Sequence, residues 1–171
     1  MRILVAGIGN IFFGDDAFGI EVIRELVRET FPEEVRVEDF GIRSYDLAYA
    51  IMDGYEAVIL IDATPQGRAP GTVSLMELDG SKVVSGEDTV VNAHSMNPIR
   101  VLQMVESLGG AMERLYLVGC EPAVLETDEL GLSPVVTAAV PQAVEMIKAF
   151  VKALLSGTLE EFLHESQGCP R

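Results

Sequence analysis

Two short runs without a polar residue, one over 2–7 after its leading Arg2 and one at Ala57-Val58-Ile59-Leu60-Ile61, constrain this chain more than any other feature. A strand with one wet face alternates apolar and polar residues. A strand that is apolar throughout has no wet face, and belongs at the centre of a sheet covered on both sides. The first run ends at Gly7 and the second at Asp62.

The segments around them have the periodicity of the missing cover. Residues 17–30 read as a helix with Ile20, Ile23 and Val27 on one stripe and Arg24, Glu25 and Arg28 largely off it. At 34–39, Val35 and Val37 alternate with Arg36 and Glu38, as in an edge strand with one solvated face. Ser44 is placed to cap a helix over 45–53. The Pro- and Gly-containing stretch 64–71 is too short for the helical crossover between parallel neighbours, so the strand over 72–78 is expected to run antiparallel.

Polar residues 79–93 read as a surface loop. Ser95 then caps a helix over 96–108, with Pro98 in its first turn and Val101, Leu102, Val105 and Leu108 on its buried stripe. A last strand is expected at 114–119. Ser133-Pro134 opens a long amphipathic helix that Gly157 closes, and 158–171 reads as a weakly patterned tail. The expected architecture is a three-layer α/β/α sandwich over residues 1–171, with a five-stranded, mostly parallel sheet and one antiparallel strand. Ligands of such sheets sit beyond the carboxyl ends of the strands.

Chain length and charge narrow the function. At 171 residues a single domain buries roughly 70% of the surface its unfolded chain exposes, enough for a core without disulfides or structural metals. The balance of 12 Lys and Arg against 27 Asp and Glu gives −15 at pH 7, which argues against nucleic acid and anionic membrane partners and favours a basic or metal-bearing one. Cys120 and Cys169 belong to no CxxC pair and are expected to be reduced thiols. With no run of roughly 18 uninterrupted apolar residues and no cleavage site after the first strand, a cytoplasmic address is expected, and the composition suggests a monomer.

Asp16, Asp62 and His94 stand at strand ends or in the loops leaving them. If the first and third strands are neighbours, both carboxylates face one crevice. Two carboxylates and an imidazole form a borderline ligand set for a divalent transition metal, with positions left open for substrate or water. Each has a structural alternative: Asp15 or Asp16 caps the following helix, and His94 is a packed imidazole satisfied by backbone. Asp62 resists such a reading, because a carboxylate directly after five apolar residues is costly to bury without a partner. Asp39 either reaches the crevice or caps a turn, the turn being favoured. Glu121 takes an electrostatic or structural role, His164 is expected to be solvated, and Cys120 is expected to be a small buried hydrophobe.

Gly7-Ile8-Gly9-Asn10-Ile11-Phe12 fails as a dinucleotide fingerprint, because Phe12 occupies the position of the third glycine. This weakens an oxidoreductase reading. GxxxxGK[ST], HExxH and GxSxG motifs are absent as well.

Gly7-Ile8-Gly9-Asn10 through Gly14-Asp15-Asp16-Ala17-Phe18-Gly19, Ile59-Leu60-Ile61-Asp62-Ala63, Ala93-His94-Ser95-Met96 and Val118-Gly119-Cys120-Glu121-Pro122 together resemble the maturation endopeptidases of nickel-iron hydrogenases over about residues 2–150. The resemblance implies removal of a C-terminal extension from the hydrogenase large-subunit precursor after nickel insertion. It implies that Asp16, Asp62 and His94 engage nickel carried by that substrate, and that Gly9, Asn10 and Asp39 lie against the substrate. Many relatives have Glu at the position of Asp16 and Asp-Gly-Gly where this chain has Asp39-Phe40-Gly41. The same three ligands would also serve a non-catalytic nickel-delivery or assembly chaperone.

Overall fold

The computed structural model describes residues 1–78, 98–110, 114–125, 127 and 130–167. Its strands are β1 (Ile3–Ile8), β2 (Val35–Gly41), β3 (Ala57–Ala63), β4 (Val73–Leu78) and β5 (Leu115–Cys120). Its described helices are α1 (Phe18–Leu26), α2 (Ser44–Ile51), α3 (Pro98–Ser107), α4 (Pro134–Ser156) and α5 (Leu159–Gln167), with a 3-10 turn at Gly14–Ala17 ahead of α1. The sheet order is β2-β1-β3-β5-β4. Four strands are parallel and β4 runs antiparallel to β5, as the short 64–71 connection predicts. The β4 partner is β5, however, so the chain crosses over β5 to reach the sheet's far edge.

Period-two alternation divides the interior into two cores. Ile3 and Val5, Ile59 and Ile61, and Tyr116 and Val118 point to the side covered by α1 and α4. Leu4 and Ala6, Val58 and Leu60, and Leu115 and Leu117 point to the side covered by α2 and α3. Strands β1 and β3 are buried along their whole length, and β2 lies at an edge, as its alternation predicts. Tyr116 meets Phe150 of α4 edge-to-face at 4.7 Å, which fixes that helix on the sheet.

Helix α4 begins at Pro134, where a missing N–H costs nothing, and ends at Gly157, whose left-handed φ of 74° lets Thr158 N–H reach Ala153 O at 3.0 Å. By length and composition this helix could cross a membrane. Its stripe of Val136, Val140, Ala143, Ile147, Phe150 and Leu154 is buried in the protein's own core.

Several local expectations are corrected. Ser44 does not cap α2: Arg43 holds the cap position and Ser44 is already helical. Val27 and Leu108 lie beyond their helices and are exposed, while Phe18, Val22 and Leu26 complete the buried stripe of α1. The expected tail contains α5, held by Phe162 against Phe150 at a ring separation of 5.4 Å. Strand β3 continues through Asp62, which is therefore inside the strand and not after it. The 79–93 loop, the Ser95 cap and Cys169 lie outside the described residues.

Candidate functional site

Strand order reverses at β1, with β2 on one flank and β3 on the other, all three parallel. This opens a crevice at the carboxyl ends of β1 and β3, where the strand order favours a ligand. Asp62 enters it from β3, and Asp16 from the 3-10 turn after β1.

Close backbone packing brings the two acids together. A Cβ on Gly19 would lie 2.2 Å from Ile61 O and 2.4 Å from Ile8 O, so the first turn of α1 rests directly on the ends of β1 and β3. Gly7 meets Gly19 from below, with its own Cβ position 2.6 Å from Gly19 O. Gly9 has φ of 132°, and a Cβ there would fall 1.9 Å from Asp16 O. Only glycine permits this fold-back of the loop. The helix-on-strand packing that Phe12 cannot provide therefore comes from Gly19; Phe12 itself is exposed.

Asp16 and Asp62 are both buried. One oxygen of each accepts a backbone N–H, Asp16 Oδ2 from Asn10 at 2.7 Å and Asp62 Oδ1 from Ala63 at 2.9 Å. The other oxygen of each has no hydrogen-bond partner among the described residues. Burial raises the Asp16 carboxyl above the ordinary range against the pull of Asn10 N–H. Burial, and then the negative Asp16 nearby, hold Asp62 well above it. Burial makes both carboxyls costly to ionise, and a cation placed beside them would favour their charged forms. His94, the third expected ligand, lies outside the described residues, and among the described residues no group of three His, Cys, Asp or Glu could hold a metal.

Asp15 does not cap the following helix. Its buried carboxylate accepts Ala123 N–H, Val124 N–H, Ser133 N–H and the Ser133 hydroxyl at 2.7–3.0 Å. Glu121 has the structural role expected of it, accepting Gln66 N–H at 2.8 Å and Gly67 N–H at 3.2 Å. Asp39 is exposed, and among the described residues its carboxylate makes no turn-capping bond; its carbonyl accepts from the Arg43 guanidinium. Gly9 N–H is donated to Gly41 O and Asn10 N–H to Asp16, so neither is available to a ligand. Asn10 Oδ1 accepts Phe12 N–H, which shapes the loop. The sequence reading missed the Asp15 clamp and Gly19, since nothing local to either residue names its distant partner.

Cys120 is buried, as expected, and burial, followed by the charges of Asp15 and Glu121, pushes its thiol up to about 11. In a Cys169→Ser variant at pH 8, Cys120 is expected to remain unalkylated in the native protein and to react promptly in denaturant. Rapid modification of native protein, followed by mass spectrometry, would show an accessible thiolate instead.

Comparison with known proteins places the fold among relatives of one kind. A family model described as hydrogenase maturation protease matches residues 20–149. The hydrogenase 2 maturation protease of Escherichia coli K12 is 32% identical over 154 residues, covering 89% of this chain and 92% of its own. The solved hydrogenase maturating endopeptidase HybD from E. coli is similar with a TM-score of 0.75 at 29% identity, over 90% of this chain and 94% of its own. A hydrogenase 2 maturation peptidase from Thaumarchaeota archaeon SCGC_AB-539-E09 gives 0.68 at 30% identity, over 89% and 99%.

Proposed function

The chain belongs to the hydrogenase maturation protease family, and we propose that it is a cytoplasmic, monomeric endopeptidase that removes the C-terminal extension of a nickel-iron hydrogenase large-subunit precursor once nickel has been inserted. The observation that carries this reading is the pair of buried carboxyls, Asp16 and Asp62, each held above its ordinary range at the carboxyl ends of β1 and β3. The cation is the nickel carried by the precursor, which fits a donor set of two carboxylate oxygens completed by His94. It supplies Lewis-acid polarisation of a carbonyl or water in the bound precursor.

The residues of this chain orient that centre. Asp16 and Asp62 each keep one oxygen fixed by a backbone N–H and present the other to the precursor. A precursor lacking nickel meets two mutually repelling carboxyls and no counter-charge, which would restrict processing to the loaded form. Ile11, Phe12 and Phe13, exposed on the loop that also supplies Asn10, offer the precursor an apolar seat beside the pair, while exposed Asp39 flanks its tail.

Nickel-loaded and nickel-free precursor are incubated with the protein and the large subunit is weighed by mass spectrometry. The expected result is loss of the extension from the loaded form alone. Equal cutting of both forms would remove nickel from the reading. Loaded precursor that is bound and left whole would replace the endopeptidase with a non-catalytic assembly chaperone.

A further inference from the structure

We propose that Asp15 is the positioning residue for Asp16, holding the turn that carries it against the start of α4 and the chain leaving β5. This rests on the role given to Asp16 above. The two adjacent acids have opposite surroundings: Asp16 accepts one backbone N–H and its other oxygen has no partner among the described residues, whereas Asp15 is fully buried and receives four donors. Those donors come from two places remote in sequence, Ala123 and Val124 directly after β5, and Ser133 immediately before α4.

The clamp is reciprocal. Asp15 N–H donates to Val124 O at 3.0 Å while Val124 N–H donates to Asp15 Oδ2 at 2.9 Å, so this part of the turn cannot slide along the β5 exit without breaking both bonds. Gly14 adds a steric contact, since a Cβ there would lie 3.0 Å from Val124 O. Ser133 stands at the N-cap of α4, yet its side chain caps nothing and its hydroxyl is given to Asp15 at 3.0 Å. A serine diverted from its usual use at a helix start indicates that α4 is an anchor for the turn. On the far side of the same turn, Asp16 Oδ2 holds Asn10 N–H at 2.7 Å, so displacement at Asp15 is transmitted to the Asp16 carboxylate.

The Asn10 amide resonance reports where the Asp16 carboxylate sits and requires no enzymatic activity. Asp15→Asn replaces an acceptor oxygen with an NH2 facing N–H donors, and Ser133→Ala removes one donor while leaving the backbone unchanged. Both variants are expected to move the Asn10 amide resonance towards its position in Asp16→Ala and to speed its hydrogen exchange. In precursor cleavage, kcat is expected to fall about tenfold in Asp15→Asn with KM little changed, because a misplaced group costs chemistry more than binding. Ser133→Thr, which keeps the hydroxyl, is expected to restore both readouts. An Asn10 resonance that stays in place in folded Ser133→Ala and Asp15→Asn would overturn the proposal, and should Asp15→Asn not fold, Ser133→Ala against Ser133→Thr decides alone. Wild-type cleavage by Asp16→Ala would instead overturn the role of Asp16, leaving the amide readout to judge the clamp.

Discussion

Asp62→Asn is expected to abolish cleavage and, at neutral pH, to make the protein more stable. Loss of one ligand to a polarising centre removes several kcal/mol of transition-state stabilisation, which corresponds to about a 10³-fold fall in kcat. The gain in stability has a separate origin. Burial and the neighbouring Asp16 hold the Asp62 carboxyl well above its unfolded value, so the folded chain binds the proton more tightly than the unfolded one. Stability from this group is therefore complete below the ordinary carboxylate range and is lost as pH rises through the raised value. Asparagine keeps the Ala63 N–H bond through its oxygen and cannot ionise. The variant should be more stable than wild type at pH 7, each kcal/mol gained raising Tm by about 2–4 °C at this chain length. The advantage should shrink towards zero near pH 4, and a variant melting below wild type across that range would contradict the electrostatic account.

Gly19→Ala has the opposite balance, with a large loss of stability from a single methyl group. The added carbon would meet Ile61 O at 2.2 Å and Ile8 O at 2.4 Å, both backbone atoms of central strands with no rotamer to change. The first turn of α1 must lift from the sheet, exposing part of the Phe18, Val22 and Ile23 packing. A cost of about 3 kcal/mol is expected, at the upper end for overpacking because no flexible side chain can yield. Denaturant titration measures it, with cleavage falling in parallel as the turn carrying Asp16 moves with the helix. Stability within about 1 kcal/mol of wild type would mean that α1 can shift without loss.

The layered fold was legible because it depends on periodicity, which is a local property. The apolar runs identified β1 and β3, the alternation placed β2 at an edge, and Pro134 and Gly157 bounded α4. What depends on distant atoms was not legible. Asp15 and Asp16 are indistinguishable as neighbours in a sequence, yet one faces Ser133 and the other faces Asn10. The glycine that brings helix and strand into contact is Gly19, which a search for a third glycine at position 12 passes over. Helix α5 is short, with Leu159 and Phe162 three residues apart on the face that meets the core, and it takes its place from the Phe150 ring beneath Phe162. Asp62 was readable for an energetic reason: an acid after five aliphatic residues requires an explanation wherever it stands.

That acid also keeps β3 in alignment. Both faces of Ala57–Ile61 are aliphatic and both are buried, so sliding the strand by a single residue would exchange Val58 and Leu60 for Ile59 and Ile61 with little change in greasiness on either side. Asp62 removes the degeneracy, since a slipped strand would turn the carboxylate to the opposite side of the sheet, into the largely apolar core that α1 and α4 cover. A misthreaded sheet is thereby disfavoured by the same atom group that the proposed function turns towards the precursor.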